Sequence, residues 1–129
     1  MRLRFREYAI KKGVSEHIEF MGSRTDISRF YQAMDLFLFP SFHEGLPIAG
    51  IEAQTADLPC LFSDAITSEI MITDRAVSVP LDLGASEWAK KAILLAKAQG
   101  RENVADKIIA LGYDAADMGK RMERIYEQQ

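Results

Sequence analysis

The chain is short of several things, and each shortage excludes something. It has one cysteine, Cys60, so it can form no internal disulfide. A lone thiol inside an apolar run is expected to be buried and inert, which fits a reducing compartment. No apolar run approaches the roughly 20 residues of a membrane span. No signal-peptide pattern is read at the start, so the cytoplasm is the expected location. Basic charge is in deficit, with 16 Lys and Arg against 19 Asp and Glu and a net charge of −3. That argues against a nucleic-acid partner, which needs a basic face. There are only two histidines, and no His–Cys–carboxylate group has metal-ligand spacing, so no metal is expected. Linkers, low-complexity tracts and internal repeats are also missing.

What is present is an alternation of helical and strand patterns over 129 residues, one domain's worth of chain. Residues 3–12 read as a basic helix stopped by Gly13, its charge a solvated face. Residues 17–21 read as a strand, with His17 at its edge. Thr25 or Asp26 is expected to cap a helix that carries Ile27, Phe30, Tyr31 and Met34 on one face. Further strands are expected over 58–63 and 76–80, with a loop and one helical turn over 64–71. Ser86 is placed at the start of a helix reaching 99, with Trp88, Ala92, Leu95 and Ala96 inward and Lys90, Lys91 and Lys97 outward. Residues 101–111, stopped by Gly112, and 115–126 read as the last two helices. Strands alternating with helices imply an α/β fold with a parallel sheet.

The pattern centres on residues 37–54. Residues 35–39 form a brief apolar run, as for a strand buried on both faces, and Pro40 ends it. Residues 41–46 are a loop. Pro47 suits the first helical position, and the helix runs to about 56. The amides of Ile48, Ala49 and Gly50 then have no partner inside the helix and point at the loop. With the helix dipole, that end suits an anion such as a diphosphate. Two carboxylates flank the point, Glu44 in the loop and Glu52 on the second helical turn, and carboxylates accept hydrogen bonds from sugar hydroxyls.

The frame Pro-Ser-x-x-Glu-Gly-Leu-Pro-x-x-x-x-Glu-Ala resembles the E-x7-E signature of retaining glycosyltransferases with two Rossmann-like domains, the GT-B fold. Phe20-Met21-Gly22 with Asp26, Ala33-Met34-Asp35, Leu58-Pro59-Cys60, Ser63-Asp64, Trp88-Ala89 and Gly112-Tyr113-Asp114 extend the likeness over nearly the whole chain. The later segments are similar to the subgroup that builds capsular and exported polysaccharides. The resemblance implies that residues 1–129 are a single partial sugar-nucleotide-binding domain. The acceptor-binding domain and the first two strands of the sheet would be absent. With them would go the paired Arg and Lys that grip donor phosphates and the usual catalytic histidine.

The same resemblance implies site roles. Glu44 would contact hydroxyls of the transferred sugar, and Glu52 would hold the nucleotide ribose. Gly45, Leu46 and Ile48 would offer backbone N–H groups to the donor, whereas Pro47 has none to offer. Glu69, after the next strand, would join the donor site, although Ile66 and Thr67 stand where the family often has paired glycines. His43 is expected at the rim. The donor would be a UDP- or GDP-sugar, with no cofactor and no metal, since the Asp-x-Asp motif of the other large glycosyltransferase fold is absent. The acceptor would be a saccharide or a lipid-linked saccharide. The intact enzyme would work in the cytoplasm, at the inner face of the membrane. Two other readings stay open: a non-catalytic sugar-nucleotide-binding module and a sugar-nucleotide epimerase of the same architecture.

Overall fold

In a computed structural model of the protein, residues 2–97 and 100–113 are described. They form an α/β unit around a three-stranded parallel sheet with strand order β1-β2-β3. The strands are β1 (Phe37–Phe39), β2 (Cys60–Ser63) and β3 (Ala76–Val79). Phe37 is in register with Cys60 and Phe39 with Phe62; Cys60 is in register with Ala76 and Ser63 with Val79. The helices are α1 (Arg2–Lys11), α2 (Ile27–Ala33), α3 (Ile48–Thr55), α4 (Gly84–Ala96) and α5 (Ala105–Ala110). The helix expected over 115–126 lies outside the described residues. Among the described residues no helix is long and apolar enough to cross a membrane.

Side chains of β2 alternate between the two faces of the sheet, as the pleat requires. Cys60 and Phe62 join Tyr31, Ala53, Leu58, Ile66, Ile70 and Ala76 in the core under α2 and α3. Leu61 joins Val79 and Trp88 under α4, where the indole N–H donates to the Pro80 carbonyl at 2.9 Å. Rings lock the α3 face together. Phe37 and Phe39 stack at 5.6 Å, and Phe62 meets them edge-on at 6.1 and 6.4 Å. Full burial of a ring like Phe62 is worth about 1.5–3 kcal/mol.

Helix ends follow local rules. Gly13 and Gly112 take left-handed dihedrals (φ 69° and 84°), and each donates its amide to a carbonyl three residues back, ending α1 and α5. Asp26 sits at the N-cap of α2 without a side-chain cap bond. Its carboxylate instead takes Arg24 in a two-point pair at 2.8 and 3.0 Å.

Several expectations are corrected. Residues 17–21 are not a strand: Ser15–His17 form a 3-10 turn, which places His17 there and not at a strand edge. Ile18 is extended (φ −123°, ψ 124°) but has no ladder partner, and a strand exists only where a neighbour takes its amides. The strand expected to be buried on both faces is an edge strand, and Leu38 is 49% exposed. The next helix starts at Gly84, two residues before Ser86, and α5 begins at Ala105, four residues after Arg101.

Candidate functional site

The site is built at the carboxyl end of β1. Pro47 is the N-cap of α3, one position earlier in the helix frame than the sequence suggests (φ −74°, ψ 115°). Its carbonyl receives the Gly50 amide at 3.0 Å and the Ile51 amide at 3.4 Å. Gly50 is therefore not among the open donors, which corrects the expectation. Among the described residues, the Ile48 and Ala49 amides meet no acceptor. They stay at the positive end of the helix dipole.

Close packing holds α3 at this place. A Cβ on Gly50 would lie 2.8 Å from Cε1 of Phe62 and 3.0 Å from Cδ1 of Ile70. Only hydrogen at that position lets the helix rest on β2 and on the turn after it.

Each carboxylate has its own partner. Glu44 is exposed, and the Ser41 hydroxyl donates to its Oε1 at 3.2 Å. Its backbone forms a parallel bridge with Ile66, joining the loop after β1 to the loop after β2. Glu52 is exposed on α3, and Tyr31 of α2 donates its hydroxyl to Oε2 at 3.3 Å. Burial, with the Glu52 carboxylate beside it, holds the Tyr31 hydroxyl above its ordinary range, so it remains a donor at neutral pH. The two side chains border a cleft of about 250 Å³ between α2 and α3, with Ile27, Ser28 and Thr55 also in its wall. Glu69 is exposed in the 3-10 turn Ser68–Ile70, which begins at Thr67. The bridge and the packing of Ile70 thus bring the Glu44 and Glu69 loops to one end of α3, and Glu52 faces α2. Gly45, Leu46 and Ile48 are exposed, Ile48 at 72%. His43 is exposed as well.

Three residues that bond to the candidate carboxylates or to the turn beside them carry no site signal in the sequence: Ser41, Tyr31 and Gln54. Periodicity places Tyr31 only on the apolar face of α2. Gln54 is fully buried and hydrogen-bonds across to residues 70–73. Its one sequence signal is a polar side chain in the buried Gly50, Ala53, Gln54 stripe of α3.

The other pole of α3 is clamped. Asp57 is 3% exposed and left-handed (φ 51°). Its carboxylate accepts the Glu102 amide at 2.6 Å and pairs with Arg75 at 3.4 Å. Arg101 donates to the carbonyls of Tyr31, Met34 and Ala56, closing the ends of α2 and α3. Cys60 is fully buried, and burial, with Asp57 adding, pushes its thiol up to about 12. Among the described residues no group of three His, Cys, Asp or Glu is placed to hold a metal ion.

Comparison with known proteins agrees with this architecture. The chain is 32% identical over 114 residues to a Bacillus subtilis (strain 168) protein that carries the name glycosyltransferase EpsF, covering 84% of this chain and 29% of that protein. It is 37% identical over 57 residues to an Escherichia coli UDP-Gal:alpha-D-GlcNAc-diphosphoundecaprenol alpha-1,3-galactosyltransferase, covering 44% of this chain and 15% of that protein. It is 40% identical over 58 residues to the lipopolysaccharide glucosyltransferase WaaG of Escherichia coli (strain K12), covering 45% of this chain and 16% of that protein. The chain therefore spans less than a third of the length of each of these relatives. No solved structure matches it. The family model for glycosyl transferases group 1 matches residues 2–114, a span that includes every site element described above, and the chain belongs to that family.

Proposed function

We propose that this chain binds the nucleotide-sugar donor of a retaining glycosyltransferase of polysaccharide assembly, with the diphosphate at the amino end of α3. The observation that carries this reading is a pair of exposed carboxylates on either side of the start of α3 in the chain, one in the loop before it and one on its second turn. Glu44 is steadied by Ser41, and Glu52 by Tyr31. Between them in the chain are the Ile48 and Ala49 amides, which meet no acceptor among the described residues. In this reading Glu44 accepts hydrogen bonds from the transferred sugar and Glu52 from the ribose of a UDP- or GDP-sugar. The Gly45, Leu46 and Ile48 amides face the phosphates, and Glu69 closes the site from the neighbouring loop. No cofactor and no metal take part.

The chemistry is glycosyl transfer. The bond between the anomeric carbon and the diphosphate oxygen breaks, and the diphosphate leaves with the electron pair. An acceptor hydroxyl oxygen forms the new bond with retention and gives up its proton to the departing diphosphate. Charge builds on the leaving diphosphate, where helix-end dipoles stabilise it. The acceptor, a saccharide or lipid-linked saccharide, is held by parts of a longer enzyme acting in the cytoplasm at the inner face of the membrane. Donor and acceptor must be held together for transfer, which supplies roughly 7–11 kcal/mol of the barrier. The 129 residues alone are therefore expected to bind donor without turnover.

The test is release of nucleoside diphosphate from UDP- and GDP-sugars, beside calorimetric binding of the same compounds. Weak, salt-sensitive binding without turnover is the expected result. Absence of binding to every one of them would refute the donor site. Sustained acceptor-dependent release, abolished by Glu44→Ala, would show that the chain is catalytically sufficient.

A further inference from the structure

We propose that Gln54 is a positioning residue of the site, fixing the turn that carries Glu69, and through it the Glu44 loop, against α3. The inference rests on the donor-site reading above. Gln54 is fully buried, a rare state for this side chain unless its polar atoms are met. Here they are met completely. Nε2 donates to the Gly50 carbonyl at 3.1 Å and the Ile70 carbonyl at 2.7 Å. Oε1 accepts the Ile72 amide at 3.1 Å, the Thr73 amide at 3.0 Å and the Thr73 hydroxyl at 3.3 Å. One side chain thus ties the first turn of α3 to four backbone and side-chain groups of the turn between β2 and β3.

Apolar packing of Ile70 beside Gly50 sets how close the turn and helix come. It does not set their register, because dispersion contacts are non-directional. The directional bonds of a buried amide do set it: α3 cannot slide or rotate against the turn without orphaning several groups at once. The turn holds Glu69 two residues after Thr67, and Ile66 just before it bridges the backbone of Glu44. Glu52 is oriented separately, from the α2 side, by Tyr31. Gln54 therefore acts on the diphosphate and sugar end of the site and leaves the ribose end alone.

This separation gives a readout that general destabilisation would not mimic. The 129-residue chain and its Gln54→Leu variant are titrated, below their melting temperatures, with UMP, UDP-glucose, GMP and GDP-mannose. The expected result is a loss of about tenfold in affinity for the nucleotide sugar that binds, with the matching monophosphate unchanged. Equal losses for both, or none, overturn the assignment while leaving the donor site in place. A wild-type chain that takes none of the four compounds overturns it together with the donor reading. If Gln54→Leu does not fold, amide exchange in the wild type decides. The Ile72 and Thr73 amides are expected to exchange as slowly as those of β2, and residues 66–73 to slow further when the nucleotide sugar is added. Exchange of Ile72 and Thr73 at the rate of open-loop amides, or binding that leaves 66–73 unchanged, overturns the proposal.

Discussion

Removing the Glu52 carboxylate separates its proposed ligand role from its structural one. The side chain is exposed, and its internal contact is the 3.3 Å bond from Tyr31 to Oε2. That bond is long for an O–H donor, but its loss leaves the buried Tyr31 hydroxyl without its acceptor, so Glu52→Ala is expected to cost the fold about 1–3 kcal/mol. Among the described residues Oε1 has no partner, which leaves it to accept from a ligand hydroxyl. A charge-assisted hydrogen bond to ribose contributes about 1.5–3 kcal/mol, so the dissociation constant for the nucleoside diphosphate should rise by about 10- to 150-fold. Glu52→Gln keeps an accepting oxygen for both Tyr31 and the ribose and should lose about tenfold or less. Tyr31→Phe leaves the carboxylate in place but unheld, and ordering a free side chain costs about 0.5–1.5 kcal/mol, a loss of several-fold. The assay is calorimetric titration of UDP and GDP into the four proteins, with thermal melts to show that each is folded. Unchanged affinity in Glu52→Ala would refute the ribose assignment, and a rise in Tyr31→Phe exceeding that in Glu52→Ala would refute the orienting role of the hydroxyl.

Three further outcomes are expected. At Asp57, Ala loses the carboxylate that holds the Glu102 amide and keeps the left-handed backbone, whereas Gly loses the same contacts without the strain of a Cβ. Asp57→Gly should therefore be more stable than Asp57→Ala by about 1 kcal/mol in urea unfolding, with Asp57→Asn above both; Ala equal to Gly would remove the strain argument. Gly50→Ala should lower the melting temperature despite better helix propensity, since overpacking against a buried ring costs about 1–3 kcal/mol; an unchanged or higher melting point counts against the close approach of α3 to Phe62. For pH, both the Cys60 thiol and the Tyr31 hydroxyl are raised in the folded state. The unfolded chain releases these protons first, so stability is full below pH 9 and falls as the pH climbs toward 12. Cys60→Ala should flatten that slope, and a thiol reagent should reach Cys60 only at the rate of unfolding; rapid labelling of the native protein would contradict its burial.

Most elements were legible because their causes are local. Apolar runs at 37–39 and 60–63 become strands, Gly13 and Gly112 end helices by their dihedrals, and Pro47 opens α3 one position from where it was expected. The α/β class follows from the alternation alone. Cys60, read as a buried thiol from its apolar neighbours, is buried. Glu44 in the loop before α3 and Glu52 on the second turn of that helix also lie on the elements expected of them.

The rest depended on partners far away in the chain. Residues 17–21 have strand-like composition and, at Ile18, extended dihedrals, yet form no strand, because a ladder needs a second chain segment to accept its hydrogen bonds. Leu38 lies in an apolar run but on an edge strand, so its exposure was decided by what flanks β1. Tyr31 meets Glu52 across 21 residues, Gln54 meets Thr73 across 19, and Arg101 meets Met34 across 67. Periodicity assigns a residue to a face, but a hydrogen bond needs two atoms brought within about 3 Å, and only the packed chain does that.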